Sequence, residues 1–185
     1  REVGDRRNEG NTLGGLANLH HEQGRIPEAL EHFRQALAIG REVGDRRYEG
    51  VNLGNLGDLL FSKGDLAAAE THLRQAIAIS DETWAAAAGA FRGSLALIRA
   101  QQGAFDEARS LLEQGESQVR GVYKLELGKL LCKKARVEDL AGDTAAAALA
   151  LAEAESIAAD LQVDPDSELG IALAEARAAL SGSDA

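Results

Sequence analysis

The chain repeats itself, and that constrains its fold more than any other feature. Residues 1–7 (REVGDRR) recur letter for letter at 41–47, and laying 1–40 over 41–80 gives 21 identities in 40. The period continues beyond the near-duplicate: Gly24, Gly64, Gly103 and Gly142 are separated by 40, 39 and 39 residues. Each is followed by a helix start, in GRIPEAL, GDLAAAE, GAFDEAR and GDTAAAA. Five residues after each glycine stands an alanine (Ala29, Ala69, Ala108, Ala147), and nine after stands a large apolar residue (Phe33, Leu73, Leu112, Leu151). A fixed period with a glycine turn in its middle means one helical hairpin per repeat. Such a unit cannot hide its apolar face alone and must stack on its neighbours.

Local patterning agrees. Leu13, Leu16, Ala17 and Leu19 ahead of Gly24 keep to helical spacing, as do Ile26, Ala29, Leu30, Phe33, Ala36 and Leu37 behind it. The small alanine lets the two helices of a hairpin approach, and the larger residue fills the space beside it. Gly44 suits a left-handed helix end, with Asp45 placed to cap the next helix. Asp164-Pro165 reads as a further helix start, Asp as N-cap and Pro at the first helical position. The pattern therefore predicts hairpins at about 6–44, 45–80, 81–120 and 121–163, a terminal helix at 165–181, and a polar tail (SGSDA). Residues 1–185 form a single array, and the start in mid-pattern reads as a piece of a longer protein.

Two stretches, LGGLANLHHEQGRIPEALEHFRQALAI and LGNLGDLLFSKGDLAAAETHLRQAIAI, resemble the tetratricopeptide repeat. With GDRR between hairpins, the spacing is similar to the long variety carried by kinesin light chains, Pins-type spindle-orientation proteins, MalT-like bacterial regulators and Rap-type bacterial peptide receptors. The resemblance implies an all-α fold, a right-handed α–α superhelix of about four hairpins plus the C-terminal helix. It implies a non-catalytic protein–protein interaction module that takes a peptide or extended segment in a concave groove lined by first helices. The alternative is a self-associating or scaffold segment of a larger bacterial signalling regulator. Arg92 and Arg99, and then Lys134 and Glu138, stand where the family places apolar residues, so the first helix of the fourth unit is expected to be rotated or offset.

Helical steps of three and four from the turn glycine mark the face of each first helix opposite its core. The candidate groove contacts on those stripes are Asn18, His21, Asn55, Asp58, Phe61, Ser94, Leu97, Lys129, Lys133 and Arg136. Amide side chains both donate and accept, so Asn18 and Asn55 suit a peptide backbone. In the family's clamp for C-terminal carboxylates, asparagines at these places work with nearby cations. Here Gly14, Ala90 and Ser94 hold the cationic places, which argues against that clamp. Gly14, Gly54 and Gly93 recur at equivalent places, either to admit a ligand backbone or to make room for a neighbouring helix. Lys129, Lys133 and Arg136 lie on one helical face. They either hold an acidic ligand or balance the acidic segment that follows, and the second reading is favoured.

That segment is where the net charge of −10 arises. Residues 1–136 carry 19 Lys+Arg against 19 Asp+Glu, whereas 137–185 carry Arg177 against 11 acids. An acidic end repels nucleic acid and anionic membrane, so neither is expected as a partner; a homo-oligomer is compatible with the pattern. A single cysteine, Cys132, makes no internal disulfide, and the first residues lack an apolar signal region, which suits the cytoplasm. Ala/Gly/Arg-rich, Lys-poor usage suits a GC-rich bacterial genome. No catalytic, cofactor or metal site is expected. His20, His21, His32 and His72 are repeat-borne residues, and Cys132 lies far from them in sequence. Among the groove cations, Cys132 is either an activated thiol or, as favoured, a structural one.

Overall fold

The computed structural model describes residues 3–182. Among them are nine α-helices and no strand: α1 (Val3–Glu22), α2 (Ile26–Glu42), α3 (Arg46–Ser62), α4 (Leu66–Thr83), α5 (Ala85–Gln101), α6 (Phe105–Val119), α7 (Lys124–Leu140), α8 (Thr144–Asp160) and α9 (Glu168–Gly182). The chain divides into two compact units, Arg1–Ala88 and Gly89–Ala185.

In the first unit, α1 pairs with α2 and α3 with α4, and α2 packs on α3. The turn glycines Gly24 and Gly64 sit at φ +71° and +82°, a conformation that penalises side chains, and Gly44 does the same between hairpins at +68°. Asp45 accepts from the N–H of Tyr48 at 3.0 Å and Asp65 from that of Ala68 at 3.3 Å, each closing an N-terminus. Ala29, Phe33, Ala69 and Leu73 are fully buried, so the small-then-large pattern is a packing pattern. Trp84 ends α4 without a glycine: its N–H donates to the Ser80 carbonyl, and its own carbonyl accepts from Ala87. The Arg47 guanidinium lies 4.3 Å above the Trp84 ring.

In the second unit, α7 pairs with α8, and both α6 and α9 pack on α7. Ala108, Leu112 and Ala147 are buried as their spacing requires, while Leu151 is half-buried. Asp143 caps α8 through the N–H of Ala146 at 3.0 Å.

Two expectations need correction here. The terminal helix opens at Glu168 and not at Pro165. Asp164 turns its carboxylate onto the N–H of Asp166 (2.8 Å), and the Ser167 hydroxyl accepts from Gly170 (3.3 Å), so Ser167 supplies the cap. The polar tail's first two residues, Ser181 and Gly182, belong to α9, and the rest (183–185) lies outside the described residues.

The first helix of the fourth hairpin, α7, is neither rotated nor offset. Gly10, Gly50, Gly89 and Gly128 each precede a turn glycine by 14 residues. At Gly10, Gly50 and Gly128 the second helix of the same hairpin presents an isoleucine, respectively Ile39, Ile79 and Ile157. The irregular polar residues are accommodated by partners instead. Glu138 is 6% exposed and takes a two-toothed guanidinium contact from Arg109 on α6 (3.0 and 2.6 Å). Lys134 pairs with Glu116 at 3.0 Å, and Glu116 also holds Arg120, which reaches Glu153 on α8 at 2.8 Å. Arg92 donates to Gln118 at 2.8 Å.

Candidate protein-binding face

In the first unit, α1 and α3 run side by side and carry five of the candidate residues. Asn55 donates through Nδ2 to Oδ1 of Asn18 at 3.3 Å. One turn further along, His21 Nε2 and Ser62 Oγ are 3.2 Å apart. Asn18 is exposed, and His21, Asn55, Asp58 and Phe61 are half-buried, so this strip presents amides, an imidazole, a carboxylate and a ring edge to solvent. Each asparagine keeps donor and acceptor capacity beyond the bond they share.

Beneath the strip lies a polar network that pattern reading missed. Tyr48 on α3 donates its hydroxyl to the Gly10 carbonyl on α1. Asn52, 2% exposed, donates to the Tyr48 carbonyl at 2.9 Å. Burial raises the Tyr48 phenol above its usual value, so it remains a donor throughout the neutral range. This network also explains Gly14. A Cβ there would stand 2.6 Å from the Tyr48 hydroxyl and 2.8 Å from Asn52 Oδ1. At Gly93, in the second unit, a Cβ would meet Leu130 Cδ1 at 2.5 Å and Lys133 Cδ at 3.0 Å. These glycines make room for the next first helix rather than for a ligand backbone. The one available signal was Tyr48, the first departure from identity between the duplicated segments, where residue 8 is Asn.

The candidates of the second unit fare differently. Ser94 and Leu97 are each 2% exposed, so the expectation that they contact a ligand is corrected. From Phe91 to Ile98 every residue of α5 is buried, because the helix is apolar around nearly its whole circumference and has no solvent stripe. Ser94 Oγ instead accepts from Lys133 Nζ at 2.7 Å. Lys129 pairs with Glu126 at 2.8 Å and Glu168 at 2.6 Å, and Arg136 with Glu175 at 3.4 Å. Burial works against the Lys129 cation, yet the two carboxylates outweigh it and raise its pKa. Lys129 and Arg136, seven apart on α7, thus meet Glu168 and Glu175, seven apart on α9, which is charge balance within the chain. Cys132 is 2% exposed, and burial pushes its thiol up to about 11, the reverse of an activated nucleophile.

Among the described residues no group of three or more His, Cys, Asp or Glu could hold a metal ion, and no helix is long and apolar enough to cross a membrane.

The fold recurs in solved structures. BtubC (BKLC) from P. vanneervenii superposes with a TM-score of 0.66 at 19% identity, over 84% of this chain and 65% of that one. The present chain therefore spans about two thirds of its length. The nearly identical TPR-like repeats of a candidate kinesin light chain from Podosopora anserina superpose at 0.62 and 21% identity, over 94% of this chain and 86% of that one. A singly substituted form of those repeats gives 0.63 at 21% identity, over 94% and 85%. No curated protein matches the sequence. These likenesses show the fold, an all-α repeat superhelix. Residues 8–82 and 89–114 match tetratricopeptide repeat models, and the chain belongs to the tetratricopeptide repeat family.

Proposed function

We propose that the chain is a non-catalytic binding module that grips an extended protein segment along the α1–α3 strip, with Asn18, His21, Asn55, Asp58 and Phe61 as its contacts. Tetratricopeptide repeats generally mediate protein–protein interaction, which supports the class. The observation that carries the site is the Asn18–Asn55 bond: two amides held at a fixed spacing, with bonding capacity left over, on a strip fastened from below by the Tyr48 hydroxyl on the Gly10 carbonyl. Pre-positioned groups lower the ordering cost of association. Lys129, Lys133 and Arg136 serve the fold in this reading. In this reading residues 1–185 act as one array, which the recurring turn glycines support, in the signalling setting that the family resemblance implies and the cytoplasm that a lone cysteine suits.

Self-association is the second reading, and one observation favours it. Leu16 and Leu19 are 37% and 44% exposed, whereas Leu56 and Leu59, their counterparts in the next hairpin, are 5% and 0%. One experiment separates the two. Peptides selected from a random displayed library on the monomeric fraction should bind at least about tenfold more weakly to the Asn18→Ala, Asn55→Ala double variant, the loss expected for two truncated hydrogen-bonding groups. The variant's thermal unfolding should be unchanged. Equal affinity for the double variant removes the strip from the proposal, and absence of a monomer at micromolar concentration in sedimentation turns the reading to self-association.

A further inference from the structure

Two histidines of the first hairpin stand ring against ring. His20 on α1, just before the Gly24 turn, stacks on His32 of α2 with centroids 4.9 Å apart and planes 10° from parallel. His20 is 9% exposed, and Nδ1 of each ring is buried without a hydrogen-bond partner. An orphaned acceptor lone pair costs less than an orphaned N–H, and much less than a buried charge. The arrangement therefore suits a neutral His20 ring carrying its proton on Nε2.

The surroundings of His20 give a proton little welcome. Arg25 in the turn and His32 on α2 oppose it, and Glu28 on α2 alone favours it. On α3, which packs against both helices, the ionisable side chains are Arg46, Arg47, Tyr48, Glu49 and Asp58, and none of them is among the groups that perturb His20. Burial, then Arg25, holds the imidazole below its usual value. The stack also sits at the hairpin's closure: Arg25 N–H donates to the His20 carbonyl at 2.8 Å, and Gly24 N–H to that of His21 at 2.9 Å.

We propose that the His20–His32 stack is an acid-sensitive latch, whose protonation loosens α1 from α2 more than acid loosens the second hairpin. A proton on His20 puts a cation onto a buried ring stacked on His32, beside Arg25. It also converts an orphaned Nδ1 acceptor into an orphaned donor. The direction follows from linkage. With the folded value of His20 below the unfolded one of about 6.5, the open hairpin binds the proton better. The latch is fully closed above that unfolded value, and its contribution is lost as pH falls from there through the folded value.

The molecule supplies its own control. The place of His20 is taken by Leu60 in the second hairpin, and that of His32 by His72. His72 is likewise lowered by burial and then by Arg41, with Nδ1 lacking a partner, but it has no second imidazole at the His20 position. The second hairpin is thus a one-ring version of the first.

Native-state amide exchange of the full chain between pH 7.5 and 5.5, corrected for intrinsic rates, tests the latch. Protection across residues 13–36 should fall more steeply than across 53–76, by up to about tenfold per pH unit for each additional proton taken up. His20→Leu and His32→Leu copy residues the chain uses at equivalent places, Leu60 and Leu111, and each should abolish the excess. Equal slopes for the two hairpins in the unsubstituted protein would overturn the proposal, as would an excess that persists in both variants. Neither outcome depends on whether the α1–α3 strip binds a peptide.

Discussion

The two units solve one packing problem with different chemistry. In the first, the two hairpins are near-copies, and the first helix of the second hairpin presents leucines to the core: Leu53, Leu56, Leu59 and Leu60 of α3 are all buried. In the second, the places of Leu53 and Leu60 are held by Arg92 and Arg99 on α5, and those of Leu56 and Leu60 by Lys134 and Glu138 on α7. Helical register is nevertheless unchanged, since the glycine 14 residues before each turn is kept. What replaces apolar contact at Lys134 and Glu138 is ion pairing to α6, through Glu116 and Arg109. Backbone period and side-chain chemistry are therefore separable: the period fixes where helices lie, and any pair that satisfies itself can fill the space between them.

The sharpest way to break this comparison is a double-mutant cycle on Arg109 and Glu138. Arg109→Leu alone strands a carboxylate that is 6% exposed and should cost about 3 kcal/mol in urea unfolding. Glu138→Leu alone should cost less, because the Arg109 side chain is 40% exposed and can turn to water. The double replacement puts leucine at both places, as the first hairpin has Leu30 and the second Leu60, and should return to within about 1 kcal/mol of the parent. If Arg109→Leu alone cost under about 1 kcal/mol, ion pairing would not be the substitute described above.

Glycines sharpen the same contrast at smaller scale. Gly89 and Gly10 occupy equivalent places, but a Cβ on Gly89 would stand 2.8 Å from the Gly115 carbonyl oxygen on α6. Backbone cannot step aside, so Gly89→Ala should destabilise by about 1–3 kcal/mol. At Gly10 the nearest atom is Ile39 Cγ2 at 3.0 Å, the end of a side chain that can shift by a few tenths of an ångström. There the roughly 1 kcal/mol by which alanine outranks glycine in a helix should offset the crowding, leaving Gly10→Ala within about 0.5 kcal/mol of the parent in thermal unfolding.

These cases show what was readable in the chain and what was not. Turn glycines, the alanines after them, the helix starts that follow and the cap at Asp45 were legible because each is written into a short stretch of chain. Contacts between first helices were not, since they depend on how one helix is phased against another two elements away. Tyr48 on the Gly10 carbonyl is of that kind, and Gly89 against Gly115 likewise depends on the phase of one helix against another. Ser94 and Leu97 were misplaced for a related reason: reading an opposite face presumes that the helix has one, and the apolar run FRGSLALI denies it. Of the candidate strip, Asn18, His21, Asn55, Asp58 and Phe61 were visible as a stripe, but the bonds that join α1 to α3 along it were not.

The smallest expected difference concerns acid. The first unit also has a buried carboxylate, Glu49, but two guanidiniums share it, Arg41 at 2.8 Å and Arg46 at 2.7 Å. Burial pushes the Glu49 carboxyl up, yet the hydrogen bonds from Arg41 and Arg46 outweigh it and hold the group below its usual value. A depressed folded value means that ionised Glu49 stabilises the fold above the unfolded carboxyl range, about pH 4.3, and that this is lost as pH falls through the folded value. Glu49→Gln cannot ionise, so its deficit in urea unfolding should be largest at pH 7 and should close as pH falls below about 4. The deficit should stay small because Arg41 and Arg46 are 58% and 56% exposed and their attraction is screened by solvent. Arg41→Leu should likewise cost less than Arg109→Leu, since Arg46 remains on Glu49 while Glu138 has Arg109 as its guanidinium. A larger loss at Arg41 than at Arg109 would mean that the number of guanidiniums sharing a buried carboxylate does not set what each one contributes, and the contrast between the units would have to rest on packing alone.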